Sequence, residues 1–184
     1  MNLNLPNTIT LGRILLIPLF VFLAYEPGPW RSFWAAVVFL IAALTDLLDG
    51  YLARKHNQVT ALGKLLDPVA DKLLTLAGFV MLVDQGLAAA WIVIIILGRE
   101  VAITGLRAIA AAEGLVMPAD EWGKWKTVTQ ITAIIMLILG WRFWIFDVGV
   151  IGTWVLWVST VLAVYSGARY GVAYLNAVRE RQGS

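Results

Sequence analysis

The sequence predicts an all-α membrane protein of six transmembrane helices with both termini in the cytoplasm. Three observations predict it. First, 60% of the 184 residues are hydrophobic and only 14% are charged, where a typical soluble domain has about 25% charged residues. The mean hydropathy of +0.81 agrees. Second, the apolar residues gather into six segments, each near the roughly 20 residues a spanning helix needs. Third, lysines and arginines concentrate in alternate connections, as they do where loops stay in the cytoplasm. The length suits a single domain over residues 1–184. There are no cysteines, which excludes a disulfide framework and a thiolate metal site. A net charge of +2 is too small for a nucleic-acid-binding surface.

The first segment, roughly 8–25, holds Arg13 and Pro18 and is expected to start on Asn7 or Thr8 as N-cap. Glu26-Pro27-Gly28-Pro29 ends it. The second, roughly 31–54, is apolar in its first half and carries Asp46 and Asp49 in its second. The third is expected from about Leu66 to Val83, with Asp67 and Pro68 as cap and first helical residue. The fourth, roughly 88–112, contains Arg99, Glu100 and Arg107. The fifth runs roughly over 123–141 behind Lys124 and Lys126, and the sixth roughly over 148–177, ending in a basic tail. Trp30, Trp34, Trp91, Trp141, Trp144, Trp154 and Trp157 fall near segment ends, where an interfacial belt would sit. Arg54, Lys55 and Lys64, then Lys124 and Lys126, then Arg169, Arg179 and Arg181 put the even connections and both termini in the cytoplasm.

Within this apolar chain, residues 45–75 carry four aspartates. Carboxylates at membrane depth are costly and mark functional sites. Asp46 and Asp49 are three apart and share one helix face; Asp67 and Asp71 are four apart and share another. Four carboxylates brought together in a poorly hydrated site cannot all stay ionised unaided. Two divalent cations would balance them, and oxygen-only ligands favour Mg²⁺, Mn²⁺ or Ca²⁺ over zinc. A metal pair about 3.5–4 Å apart clamps phosphate oxygens. Gly50 and Ala53 allow close approach to the backbone, and Arg54, two turns after Asp46, suits a phosphate or a base edge.

The pattern Asp46-x2-Asp49-Gly50-x2-Ala53-Arg54-x8-Gly63-x3-Asp67-x3-Asp71 resembles the signature of the CDP-alcohol phosphotransferase family at every defined position. The resemblance implies a six-helix membrane enzyme in which a hydroxyl attacks a CDP-linked pyrophosphate and CMP leaves. It implies that Asp46, Asp49, Asp67 and Asp71 bind two Mg²⁺ or Mn²⁺ ions. Asp71 is then also the catalytic base, and Asp46, Asp49, Gly50, Ala53 and Arg54 bind the CDP-lipid. Gly63 reads as a close-packing position. Leu5 to Leu11 with Arg13 and Pro18, Arg99 to Arg107, and Gly123 to Gln130 resemble stretches of bacterial phosphatidylglycerophosphate synthases. That implies CDP-diacylglycerol as donor, glycerol 3-phosphate as acceptor, and a bacterial inner membrane with the site facing the cytoplasm. A homodimer is compatible with this but not specified.

The residues themselves support a phosphorylated acceptor. Arg99 and Arg107 lie eight apart on one side of a helix, and Glu100 is expected to point elsewhere. Arg99, Arg107, Lys124 and Lys126 are thus the candidate ligands of an acceptor phosphate. Arg169 is an equal candidate for that cavity or for an interface anchor. Two alternatives stay open. One keeps the chemistry with phosphatidylglycerol, an inositol phosphate or serine as acceptor. The other is a cation transporter lined by the aspartates, which leaves the Gly50, Ala53, Arg54 and Gly63 spacing unexplained.

Overall fold

The computed structural model describes residues 5–56, 61–115, 121–143 and 146–182, with side chains described over 10–45, 69–115, 122–142 and 146–181. The described chain is six helices and one short hairpin: α1 Leu5–Tyr25, α2 Pro29–His56, α3 Ala61–Asp84, α4 Ala90–Ala112, α5 Glu121–Leu139, strands β1 Arg142–Phe143 and β2 Phe146–Asp147, and α6 Val148–Gln182. Each of the six apolar segments is a helix. One of them, Val148–Arg181, is long and apolar enough to cross a membrane, with a mean hydropathy of 1.8. Only 28% of that apolar window is buried, so it is not the covered core helix of a soluble protein.

Packed neighbours close a ring in the order α1, α2, α5, α6, α4, α3, and α3 also reaches across to α2 and α5. The centre is apolar: Phe20, Phe39, Phe79, Leu82, Ile96, Ile134 and Leu156 are fully buried. Glycines let the axes come close. A Cβ on Gly78 of α3 would stand 2.9 Å from both Ile134 Cδ1 and Phe39 Cε2, and one on Gly152 of α6 would stand 3.0 Å from Met136 Cβ. Small residues at crossings are how helices associate where lipid supplies no hydrophobic drive.

Two helix starts differ from the sequence reading, and α6 runs to Gln182, past the expected end near residue 177. Helix α1 begins at Leu5, so Asn7 and Thr8 lie in its first turn and neither is the N-cap. Pro6 fits that turn because its missing N–H has no partner to lose there. Helix α3 begins at Ala61, not near Leu66, and Pro68 therefore lies inside the helix. Ala61, Leu62 and Lys64 to Leu66 are good helix formers that carry the helix ahead of the proline. The proline deletes one bond, to the Lys64 carbonyl, a loss helices in packed bundles absorb. Gly63, Asp67, Asp71 and Thr75, at steps of four, thus lie along one strip of one helix.

The turn at Glu26–Pro29 ends α1 as expected. Pro29 opens α2, and Arg31 Nη2 donates to the Phe22 carbonyl at 2.6 Å while Nη1 pairs with Glu26 at 2.6 Å. Gly86, at φ +68°, ends α3 in the left-handed turn that favours glycine, and the Leu87 N–H donates to the Leu82 carbonyl at 2.8 Å. Trp30, Trp34, Trp91, Trp141, Trp154 and Trp157 all have exposed rings, as a belt requires; Trp144 is outside the described residues.

Candidate active site

Helices α4 and α5 both pack on α3 and α6. Between α3, α4 and α5 lies a cavity of about 140 Å³. Asp71, Lys72 and Thr75 line it from α3, Glu100 and Val101 from α4, and Lys126, Thr127 and Gln130 from α5. An apolar bundle has thus turned charged residues of three helices onto one space. Lys126 is only 4% exposed, and a buried ammonium needs an anion. Its Nζ donates to Glu100 Oε1. The same Glu100 oxygen accepts from Arg99 Nη1 at 3.1 Å, and Arg99 Nη2 donates to Ser166 Oγ on α6 at 2.8 Å. Gly167 makes room for this arginine, since a Cβ there would stand 3.0 Å from Arg99 Cγ. On the other wall Lys72 Nζ donates to Thr104 Oγ1 at 2.6 Å, and that hydroxyl donates to the Glu100 carbonyl at 2.7 Å. Gln130 is buried, and its Nε2 has no hydrogen-bond partner among the described residues.

The sequence-derived residues therefore fall into three groups. Asp71 sits on the cavity wall with Lys126 opposite on α5. Arg99 reaches the same place through Glu100. Here the sequence reading is corrected: Glu100 does not point elsewhere but is the shared anion of Arg99 and Lys126. Neighbouring residues on a helix diverge by about 100°, yet the long arginine stem bends back far enough to meet its neighbour. The second group stands apart from the cavity. Lys124 is exposed, two residues and about 200° around α5 from Lys126. Arg107 is exposed with its guanidinium 5.2 Å from the Tyr170 ring, and Arg169 is exposed, 5.9 Å from the Tyr165 ring.

The third group comprises Asp46, Asp49, Gly50, Ala53 and Arg54 on α2 and Gly63 and Asp67 on α3, whose side chains lie outside those described. Helices α2 and α3 pack together, so the two aspartate pairs belong to neighbouring helices. Among the described residues no group of three or more His, Cys, Asp and Glu converges, because only Asp71 of the four aspartates is among them. By their chemistry, carboxylates are the all-oxygen donors that would suit hard divalent cations. On α1, Arg13 is fully buried, and its Nε donates to Thr45 Oγ1 at 3.4 Å, immediately before Asp46.

Sequence reasoning missed Lys72, Glu100 and Gln130 as site residues. For Glu100 a signal existed, since an ionisable residue in an apolar run is a site candidate by default. Lys72 was overshadowed by Asp71 beside it, and nothing in the sequence singles out Gln130.

One cavity of this helical chain thus gathers a carboxylate, two lysines and a part-buried arginine–glutamate pair. The CDP-alcohol phosphatidyltransferase family model matches residues 3–165, and the chain belongs to that family. It is 47% identical over 148 residues, 74% of this chain and 77% of the relative, to a Bacillus subtilis protein named CDP-diacylglycerol–glycerol-3-phosphate 3-phosphatidyltransferase. Proteins of the same name in Pseudomonas fluorescens and Rickettsia bellii are similar too. The first is 40% identical over 152 residues, covering 78% of this chain and 77% of the relative. The second is 36% identical over 168 residues, covering 91% and 93%.

Proposed function

We propose that this chain transfers the phosphatidyl group of CDP-diacylglycerol to the 1-hydroxyl of glycerol 3-phosphate, giving phosphatidylglycerophosphate and CMP. Family membership supports the reaction class, and the names of relatives matched over most of their length support these two substrates. The observation that carries the reading in this molecule is the one cavity that Asp71, Lys126 and Glu100 line together.

Asp46, Asp49, Asp67 and Asp71 are the residues that would hold two divalent cations, Mg²⁺ or Mn²⁺. Such ions, when bound, neutralise pyrophosphate charge and that of the leaving CMP. Gly50 and Ala53 leave space for the CDP group, and Arg54 binds its phosphate. Asp71 accepts the proton of the acceptor hydroxyl. The hydroxyl oxygen forms a bond to the lipid-side phosphorus, the pyrophosphate P–O bond breaks, and CMP departs with that electron pair. Lys126 and Arg99, aligned by Glu100, face the acceptor's phosphate. Arg107 and Lys124, further out, steer it by charge.

The domain spans the whole chain and crosses the bacterial inner membrane six times. The shortest helix, α5, has 19 residues and runs about 28 Å at 1.5 Å per residue, close to the roughly 30 Å of a hydrocarbon core. Outer positions such as Leu15, Ile94, Val128 and Val161 are exposed and apolar, which suits lipid. An even number of spans leaves both termini on one side. Basic residues at Arg179 and Arg181 favour the cytoplasm, and the site opens there.

The test is CMP release from CDP-diacylglycerol by the purified chain. Release is expected to require both glycerol 3-phosphate and a divalent cation. A rate unchanged by omitting the acceptor or by chelation would refute the assignment, and a preference for phosphatidylglycerol would reassign the acceptor.

A further inference from the structure

Two lysines line the cavity, and they are in opposite electrostatic situations. Lys126 is buried and ion-paired to Glu100, which also holds Arg99. An incoming anion can take Lys126 only by sharing or displacing that carboxylate. Lys72 donates to the Thr104 hydroxyl alone among the described residues. A hydroxyl orients an ammonium but does not neutralise it, so the charge of Lys72 stays available to a ligand. Lys72 also follows Asp71 directly on α3, with Cα atoms about 3.8 Å apart, and both side chains line the same space.

We infer that Lys72 is a phosphate-binding residue for the acceptor, held ready by Thr104, while Glu100 occupies Arg99 and Lys126 as a resident stand-in for that phosphate. This rests on the reading of glycerol 3-phosphate as acceptor. A phosphate held by Lys72 keeps the short glycerol chain beside Asp71, which must reach its hydroxyl. The flexible four-carbon stem lets the ammonium leave Thr104 and follow the ligand. Nothing in the sequence pattern of the aspartates assigns this lysine.

The experiment measures KM for each substrate separately, in mixed micelles, for the wild type and for Lys72→Gln, Lys72→Arg and Thr104→Val. Loss of one charge-assisted contact is expected to raise the glycerol 3-phosphate KM of Lys72→Gln by about tenfold or more, with the CDP-diacylglycerol KM and the saturated turnover little changed. Lys72→Arg recovers part of the loss, and Thr104→Val shifts the same KM less. Melting of each purified protein with and without glycerol 3-phosphate gives a readout independent of turnover. The wild type is expected to be stabilised by the ligand and Lys72→Gln to lose that response. An unchanged glycerol 3-phosphate KM in Lys72→Gln, or a rise confined to CDP-diacylglycerol, overturns the proposal while leaving the acceptor assignment standing. A wild type that ignores glycerol 3-phosphate removes the acceptor assignment, and the role of Lys72 with it.

Discussion

Two ion pairs mark the two ends of α5, and they have little in common beyond charge. Near its start Lys126 pairs with Glu100, their side chains 6% and 22% exposed. Beyond its end Arg142 pairs with Asp147 across the hairpin at 3.0 Å, 83% and 31% exposed. The hairpin pair sits in solvent or at an interface, where such contacts contribute little. Asp147 has a second, local task there: its Oδ1 accepts the Val150 N–H at 3.2 Å and caps α6. The cavity pair is different in kind. Its charges have lost most of their water, so each depends on the other, and the pair is worth keeping only where a buried charge is needed. Chemistry is therefore expected at the cavity end, and only helix geometry at the hairpin end.

The largest test of that contrast is Asp71→Asn. Removing the proposed base is expected to lower CMP release by roughly 10²–10⁴-fold, with thermal melting near wild type; a retained rate would refute the catalytic role proposed for the cavity. Next comes Glu100→Ala, which strands Lys126 and Arg99. It is expected to cost about 3–5 kcal/mol of stability, read from denaturation in detergent, and Glu100→Ala combined with Lys126→Met should recover part of that. If the single change melts like wild type, the two ends of α5 are not so different. Gly78→Ala, two turns along α3 from Asp71, forces a methyl against Ile134 and Phe39. A loss of about 1–3 kcal/mol is expected, with KM values preserved, which separates packing from chemistry.

The smallest effect belongs to Asp147. The Val150 N–H bond, more than Arg142, holds its carboxyl below the usual aspartate range. A depressed folded-state pKa means the contribution is present above the unfolded value, about 3.9, and fades as pH falls through the folded one. Asp147→Ala should lower the melting temperature slightly at neutral pH and make no difference in strong acid. A drop as large as that of Glu100→Ala would break the comparison.

Much of this was legible in the chain itself. Six apolar runs became six helices, because a helix satisfies every backbone group of an apolar run within the run itself. The aspartate spacing singles out α2 and α3 as the candidate chemical helices for a related reason, since charge in such runs is costly. The limits were equally physical. Asn7 and Thr8 looked like caps and Pro68 like a start, yet neighbouring helix formers carried α1 and α3 past them. Arg99 and Arg107 share a side of α4, but one is partly buried against Ser166 and the other lies over Tyr170 outside. Spacing along one helix cannot tell which of two like charges its neighbours will cover.

What the sequence determined by itself is the helical architecture and the family, because these depend on periodicity and on residues close together in the chain. What only the tertiary structure decided is the company Asp71 keeps. Lys126 and Glu100 come to it from α5 and α4, and Lys72 turns its ammonium to Thr104 instead of a carboxylate. Charges in a low-dielectric interior interact by distance, and distance between helices is set by packing, not by position in the chain.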